Sequence, residues 1–156
     1  MKTPPTEKKI IGTLEKADFP MLGLEEVECK IDTGAQTSAI HCHEIRVYQH
    51  EGTEVLSFRL LDPSHPAYNH KQFTYTVFEE RVIKNSFGQS EERFVIKTTV
   101  RLFGKDYLTE FSLADRVKMK YPVLLGKKLL REGFLVDVTK KNLSFKQKQK
   151  ALKRLR

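Results

Sequence analysis

Between Val27 and Ile31 apolar and polar residues alternate without a break, and the run ends directly in Asp32-Thr33-Gly34. Alternation of period two places Val27, Cys29 and Ile31 on one face of a strand. The chain is thereby committed to a half-buried strand that delivers a carboxylate at a tight turn. A carboxylate that acts on water as a general base must be held by backbone donors, which a short turn provides and a mobile loop does not. Gly34 suits such a turn, because a side chain there would hinder approach of backbone N–H groups to the Asp32 carboxylate. The Thr33 hydroxyl can give or take a locking hydrogen bond.

The text on either side is also β-like. Residues 39–48 and 54–60 read as strands separated by a Glu51-Gly52 turn, and a loop rich in Pro, His, Asp and Asn spans 62–71. Residues 73–78 are β-branched and aromatic, residues 81–84 and 93–102 form the arms of a hairpin turning at 85–89, and Gly104-Lys105-Asp106 closes another hairpin into residues 107–113. Tyr121-Pro122-Val123-Leu124-Leu125-Gly126 reads as a short strand buried on both faces, residues 127–132 as one or two helical turns stopped by Gly133, and residues 134–138 as a last strand. The expected organisation is a flexible arm over 1–8, one all-β domain over 9–139 and a basic tail over 140–156. The tail has few apolar anchors beyond Leu152 and Leu155, so at best a marginal helix is expected there.

The formal charge is +8, from 28 basic and 20 acidic residues. Residues 140–156 hold eight of the cations and no acid, so residues 1–139 are formally neutral, with 20 of each sign. That distribution argues against a generally basic surface. The tail suits a weak, salt-sensitive contact with RNA or the ribosome, an acidic peptide or an anionic surface, or it serves only as a solubilising extension. Phe145 is its one aromatic residue, so it has no platform for stacking bases. No run of apolar residues is long enough to span a membrane and no signal-peptide pattern opens the chain, so a cytoplasmic protein without membrane contact is expected. Cys29 and Cys42 flank the Asp32 turn without CxxC spacing and are expected to be reduced.

Hydrolysis by aspartate needs two carboxyl groups that share a proton, one acting as base and the other as acid. The chain contains a single Asp-Thr-Gly. A second copy of the chain, related by a two-fold axis, is the simplest source of the other carboxylate.

Lys30-Ile31-Asp32-Thr33-Gly34-Ala35, the hairpin at 82–95 and residues 121–130 resemble the active-site turn, the flap, and the apolar strand with its helix in retropepsins. Residues 31–41, 91–98 and 114–126 resemble more narrowly a bacterial group of retropepsin-like peptidases, the RimK-associated or RimB-like family, long labelled "ATP-dependent zinc protease". The resemblance spans roughly residues 9–139. It implies an all-β, closed-barrel acid-protease (retropepsin-like) fold with one short helix near the C-terminus. It also implies a homodimeric aspartic endopeptidase with Asp32 catalytic and supported by Thr33 and Gly34. On this reading Ala35 and the flap residues Arg81, Lys84, Phe87, Gly88 and Arg93 meet the substrate. Because the RimK ligase adds glutamates to protein C-termini, the resemblance further implies an acidic, glutamate-rich peptide as substrate. No cofactor and no metal are expected: the chain has neither a GxxxxGK[ST] phosphate loop nor an HExxH motif.

Other readings stay open. An Asp-Thr-Gly is also an ordinary β-turn, and the same barrel could bind a peptide or the ribosome without cleaving anything. His41 and His43 share one side of a strand with Cys42 between them, which invites a metal-dependent hydrolase, although zinc requires three or four ligands. Asp115 and Arg116 fit a structural ion pair or a contact with substrate, and charges on an exposed hairpin such as 81–93 are often simply solvated.

Overall fold

In the computed structural model, residues 7–84, 87–115 and 120–155 are described. In chain order the strands are β1 (Lys9–Ile11), β2 (Leu14–Phe19), β3 (Leu24–Ile31), β4 (Ser38–His50), β5 (Thr53–Leu60), β6 (Gln72–Tyr75), β7 (Glu79–Lys84), β8 (Ser90–Leu102), β9 (Lys105–Ala114), β10 (Val123–Leu125) and β11 (Phe134–Val136). A four-residue helix, α1 (Lys127–Leu130), follows β10, and a twelve-residue helix, α2 (Leu143–Arg154), follows β11.

The alternation that opened the sequence survives in β3, where Val27, Cys29 and Ile31 are buried and Glu28 and Lys30 are exposed. Six strands close into a ring in the order β10, β3, β2, β8, β9, β4 and back to β10. The closure depends on β10, which pairs in parallel with β3 and antiparallel with β4. Its apolar run is explained by that place, since Val123 and Leu125 are fully buried between two neighbours. Ring closure leaves fewer open edges to attract other chains. The long hairpin of β4 and β5, with β6 at its side, extends from the ring, and β7 pairs only with the first part of β8.

Phe19 and Phe111 meet edge to face inside the ring with centroids 5.6 Å apart, and Leu22, Ile40, Leu56, Phe58, Ile96 and Leu125 fill the space around them. Each such side chain contributes roughly 1.5–3 kcal/mol on burial. This mostly β architecture with a C-terminal helix agrees with the retropepsin-like fold expected from the sequence. The expected strands appear within a few residues of their anticipated limits, but β2 was not foreseen.

The tail differs from expectation as well. Instead of a marginal helix it carries α2, which docks on β2 through polar contacts. Glu15 is 1% exposed, and its carboxylate accepts the Ser144 N–H at 2.7 Å and the Phe145 N–H at 3.4 Å, so it caps the helix start. Ser144 Oγ accepts the Phe103 N–H at 2.8 Å. Lys148 reaches Asp18 at 2.9 Å and Glu26 at 3.3 Å. Burial pushes the Glu15 carboxyl above its ordinary range, against the pull of the helix N–H groups. Among the described residues no helix is long and apolar enough to cross a membrane.

Candidate active site

The strand-to-turn transition at Asp32 is fixed by main-chain bonds to a distant part of the chain. The Asp32 N–H donates to the Leu125 carbonyl at 2.9 Å, which extends the β3–β10 pairing one residue into the turn. Behind the turn, the Lys127 and Lys128 N–H groups at the start of α1 donate to the Ala35 and Gln36 carbonyls at 2.8 and 3.0 Å. The Gly126 N–H donates to Ser38 Oγ at 3.0 Å. A Cβ at Gly126 would lie 2.9 Å from the Ala35 carbonyl oxygen, so the approach of the two segments requires glycine.

Within the turn, Asp32 Oδ1 accepts the Gly34 N–H at 3.0 Å. A Cβ at Gly34 would sit 3.3 Å from that same oxygen, a close fit beside the carboxylate. Oδ2 accepts no hydrogen bond from any described residue, and it remains available to water or substrate. Thr33 is exposed, and among the described residues its hydroxyl makes none of the locking bonds anticipated from the sequence.

Asp32 opens into a cavity of about 330 Å³ between this turn and the β7–β8 hairpin. Of the residues singled out from the sequence, Asp32, Ala35, Arg81, Lys84 and Arg93 line it together. Thr33, Gly34, Phe87 and Gly88 do not. Gly88 has a φ of 79° at the hairpin tip, and Phe87 is exposed there. The rest of the expected turn, Asn85 and Ser86, lies outside the described residues, as does Arg116 of the expected pair with Asp115.

The cations of the cavity wall are not equally available. Arg81 bonds both Glu79 and Glu110, and Glu110 also receives Lys128 Nζ at 2.9 Å. One carboxylate on β9 thus joins the hairpin to α1. The Arg81 hydrogen bond, aided by Lys128, holds the Glu110 carboxyl down to about 2. Arg93 is 9% exposed, donates to Glu91 at 2.8 Å and leaves its buried Nε without a partner. Lys84 is exposed and makes no ion pair among the described residues.

Sequence reasoning missed Glu110 and Lys128. Glu110 is a half-buried acid flanked by the buried Thr109 and Phe111, and Lys128 stands two residues after the glycine that ends the apolar strand, so both carried a faint positional signal.

His41 and His43 do lie on one side of β4, each with a buried Nδ1 that has no partner. Cys42 faces the core, where burial and Asp115, opposed by Arg93, push its thiol up to about 12. Both cysteines are free. Among the described residues no three His, Cys, Asp or Glu side chains are grouped to hold a metal.

The chain is similar to several known proteins. A family model described as the RimB-like retropepsin-like aspartic endopeptidase matches residues 10–147. A probable alpha-L-glutamate ligase from Desulfotalea psychrophila is 37% identical over 134 residues, covering 83% of this chain and 28% of that protein. A protein of the same description from Shewanella pealeana matches at 37% identity with the same coverage, and one from Parasynechococcus marenigrum at 32% over 136 residues, covering 85% of this chain and 28% of that protein. The chain therefore spans little more than a quarter of the length of these relatives. The crystal structure of a DUF785 protein of unknown function from Legionella pneumophila superposes with a TM-score of 0.64 at 22% identity, covering 86% of this chain and 97% of that one, which shows a shared fold. With its single Asp-Thr-Gly turn set against an apolar strand and a hairpin-covered cavity, the chain belongs to the RimB-like family of retropepsin-like aspartic endopeptidases.

Proposed function

We propose that two copies of the chain meet about a two-fold axis, so that paired Asp32 carboxylates hold one water beneath the β7–β8 hairpins. The observation that carries this reading is the Asp32 carboxylate itself: one oxygen is fixed by the Gly34 N–H and the other is open to the cavity. In the pair, one carboxylate takes a proton from water as its oxygen attacks the peptide carbonyl carbon, and the partner carboxyl gives its proton to the carbonyl oxygen. Collapse of the tetrahedral diol then breaks the C–N bond: the amide nitrogen leaves with a proton from one carboxyl, a diol hydroxyl gives its proton to the other carboxylate, and the pair again shares a single proton.

The substrate proposed is an extended, glutamate-rich peptide. Two observations support it: Lys84 and Arg93 line the same cavity as Asp32, and the relatives are named as probable alpha-L-glutamate ligases. A peptidase of this kind would undo what such a ligase makes. An extended strand would bind by main-chain hydrogen bonds along the hairpin, with side-chain pockets alternating on either side.

The test is cleavage of a peptide ending in a run of glutamates, followed by mass spectrometry, with light scattering to report the dimer. Asp32→Asn should abolish cleavage while leaving the oligomeric state unchanged. Undiminished cleavage by that variant would end the reading, and binding of the peptide without any cleavage by the unaltered protein would favour a non-catalytic module on the same ring. Rate against pH should rise and fall about a mildly acidic optimum.

A further inference from the structure

The cations of α2 divide into two sets that the sequence does not distinguish. Lys148 faces the body and is consumed by Asp18 and Glu26. Ser144 and Ala151 lie on the same side, in the cleft against β2. Lys146, Lys150, Lys153 and Arg154 project from the opposite side, within about 100° of arc and along about 12 Å of axis at the helical repeat. All four are exposed, and none pairs with an acid among the described residues. The helix contains no acid of its own.

This face is held rigidly, because Glu15 caps the first turn and Lys148 pins the second. It also stands apart from the cavity. The first turn of α2 is tied to Glu15, which pairs with Cys29 of β3, and the helix runs from there away from Asp32 towards Glu26 near the start of that strand, roughly 20 Å from Asp32 at the strand rise.

From this geometry we infer that the outward face of α2 is a docking surface for the phosphate backbone of RNA. Four fixed, unpaired cations in a row, beside residues 1–139 that are together formally neutral, complement a regularly spaced polyanion. The face contains no aromatic residue on which a base could stack; Phe145 lies beneath Lys16, whose Nζ is 4.7 Å from the ring centroid. Binding is therefore independent of sequence and strongly dependent on salt. Leu143 in the first turn is the one apolar residue on the stripe's side and is half-buried, and Leu152 and Leu155 point to other sides of the helix, so the stripe has little apolar surface to enter a lipid layer, which favours RNA over an anionic membrane. The surface acts independently of the peptidase reading.

The test is fluorescence anisotropy of a labelled 20-nucleotide oligouridylate with the full chain. Four phosphate contacts on a single strand predict a slope of about −3 in log affinity against log salt, or about 50-fold weaker binding at 200 mM than at 50 mM KCl. Replacing Lys146, Lys150, Lys153 and Arg154 together by Gln should weaken binding at 50 mM at least tenfold, with the circular dichroism unchanged. Replacing the exposed Lys8, Lys71, Lys97 and Lys105 by Gln should change it less than threefold, and Asp32→Asn should leave it as it was. Equal losses in the two quadruple variants, or none in the first, would overturn the inference. So would a decaglutamate peptide or phosphatidylserine vesicles that lose as much affinity as RNA does in the α2 variant, since the surface would then belong to an acidic peptide or a membrane.

Discussion

Asp32 and Glu15 stand on neighbouring strands, and both carboxylates are held by main-chain N–H groups. Glu15 is 1% exposed, and its two oxygens are occupied by the N–H groups of Ser144, Phe145 and Lys16. Asp32 is half-buried, with one oxygen occupied by Gly34 and the other facing an open cavity. The same functional group is structural in one place and available for chemistry in the other. What separates them is the number of lone pairs left over and whether water can reach them.

Removing the Asp32 charge is expected to show the largest effect. Asp32→Asn should lower kcat/KM by about 10³-fold or more, with the thermal midpoint little changed. A large fall in that midpoint would mean that Asp32 is as structural as Glu15. Glu15→Ala should do the reverse, costing about 2–3 kcal/mol in urea unfolding because helix N–H groups lose a charged acceptor, and hydrogen exchange should quicken over 143–154. Cleavage at temperatures where the fold persists should stay within a few-fold of the unaltered protein.

Gly126→Ala displaces the Asp32 turn without altering any carboxylate. The clash with the Ala35 carbonyl should cost about 2 kcal/mol and lower kcat more than it raises KM. Full retention of kcat would show that the turn tolerates movement.

The smallest effect is expected from Glu110→Gln, about 1–2 kcal/mol at neutral pH, since the pair cluster is partly open to solvent. The folded state holds the Glu110 carboxyl near 2 against an ordinary value of 4.5. Its ionised form is therefore favoured by folding, and the contribution is complete above pH 4.5 and fades as the pH falls towards 2. Urea midpoints of the variant and the unaltered protein should converge over that window; a constant gap would show that charge is not the cause.

The Asp32 turn, the β10 strand and the main hairpins were legible because their residues obey local rules: alternation in β3, an apolar run ended by Gly126, glycines at hairpin tips. β2 was not legible because its inward positions are Glu15, Ala17 and Phe19, and a carboxylate followed by the smallest apolar side chain hides the period of two. α2 was underestimated for a related reason. Its anchors are Ser144 and Lys148, and their partners Glu15, Asp18 and Glu26 lie more than a hundred residues earlier, so an apolar stripe was the wrong thing to look for. The Glu110 cluster joins three elements, β7, β9 and α1, that only the fold assembles.

The hydrogen bond from the Asp32 N–H to the Leu125 carbonyl ties the seating of Asp32 to a strand that is translated much later. A nascent polypeptide that has emerged only as far as residue 120 already carries the Asp-Thr-Gly triplet, yet the strand that must lie beside it has not been made. The aspartate is left without its seat until Val123–Leu125 leaves the ribosome and slots between β3 and β4.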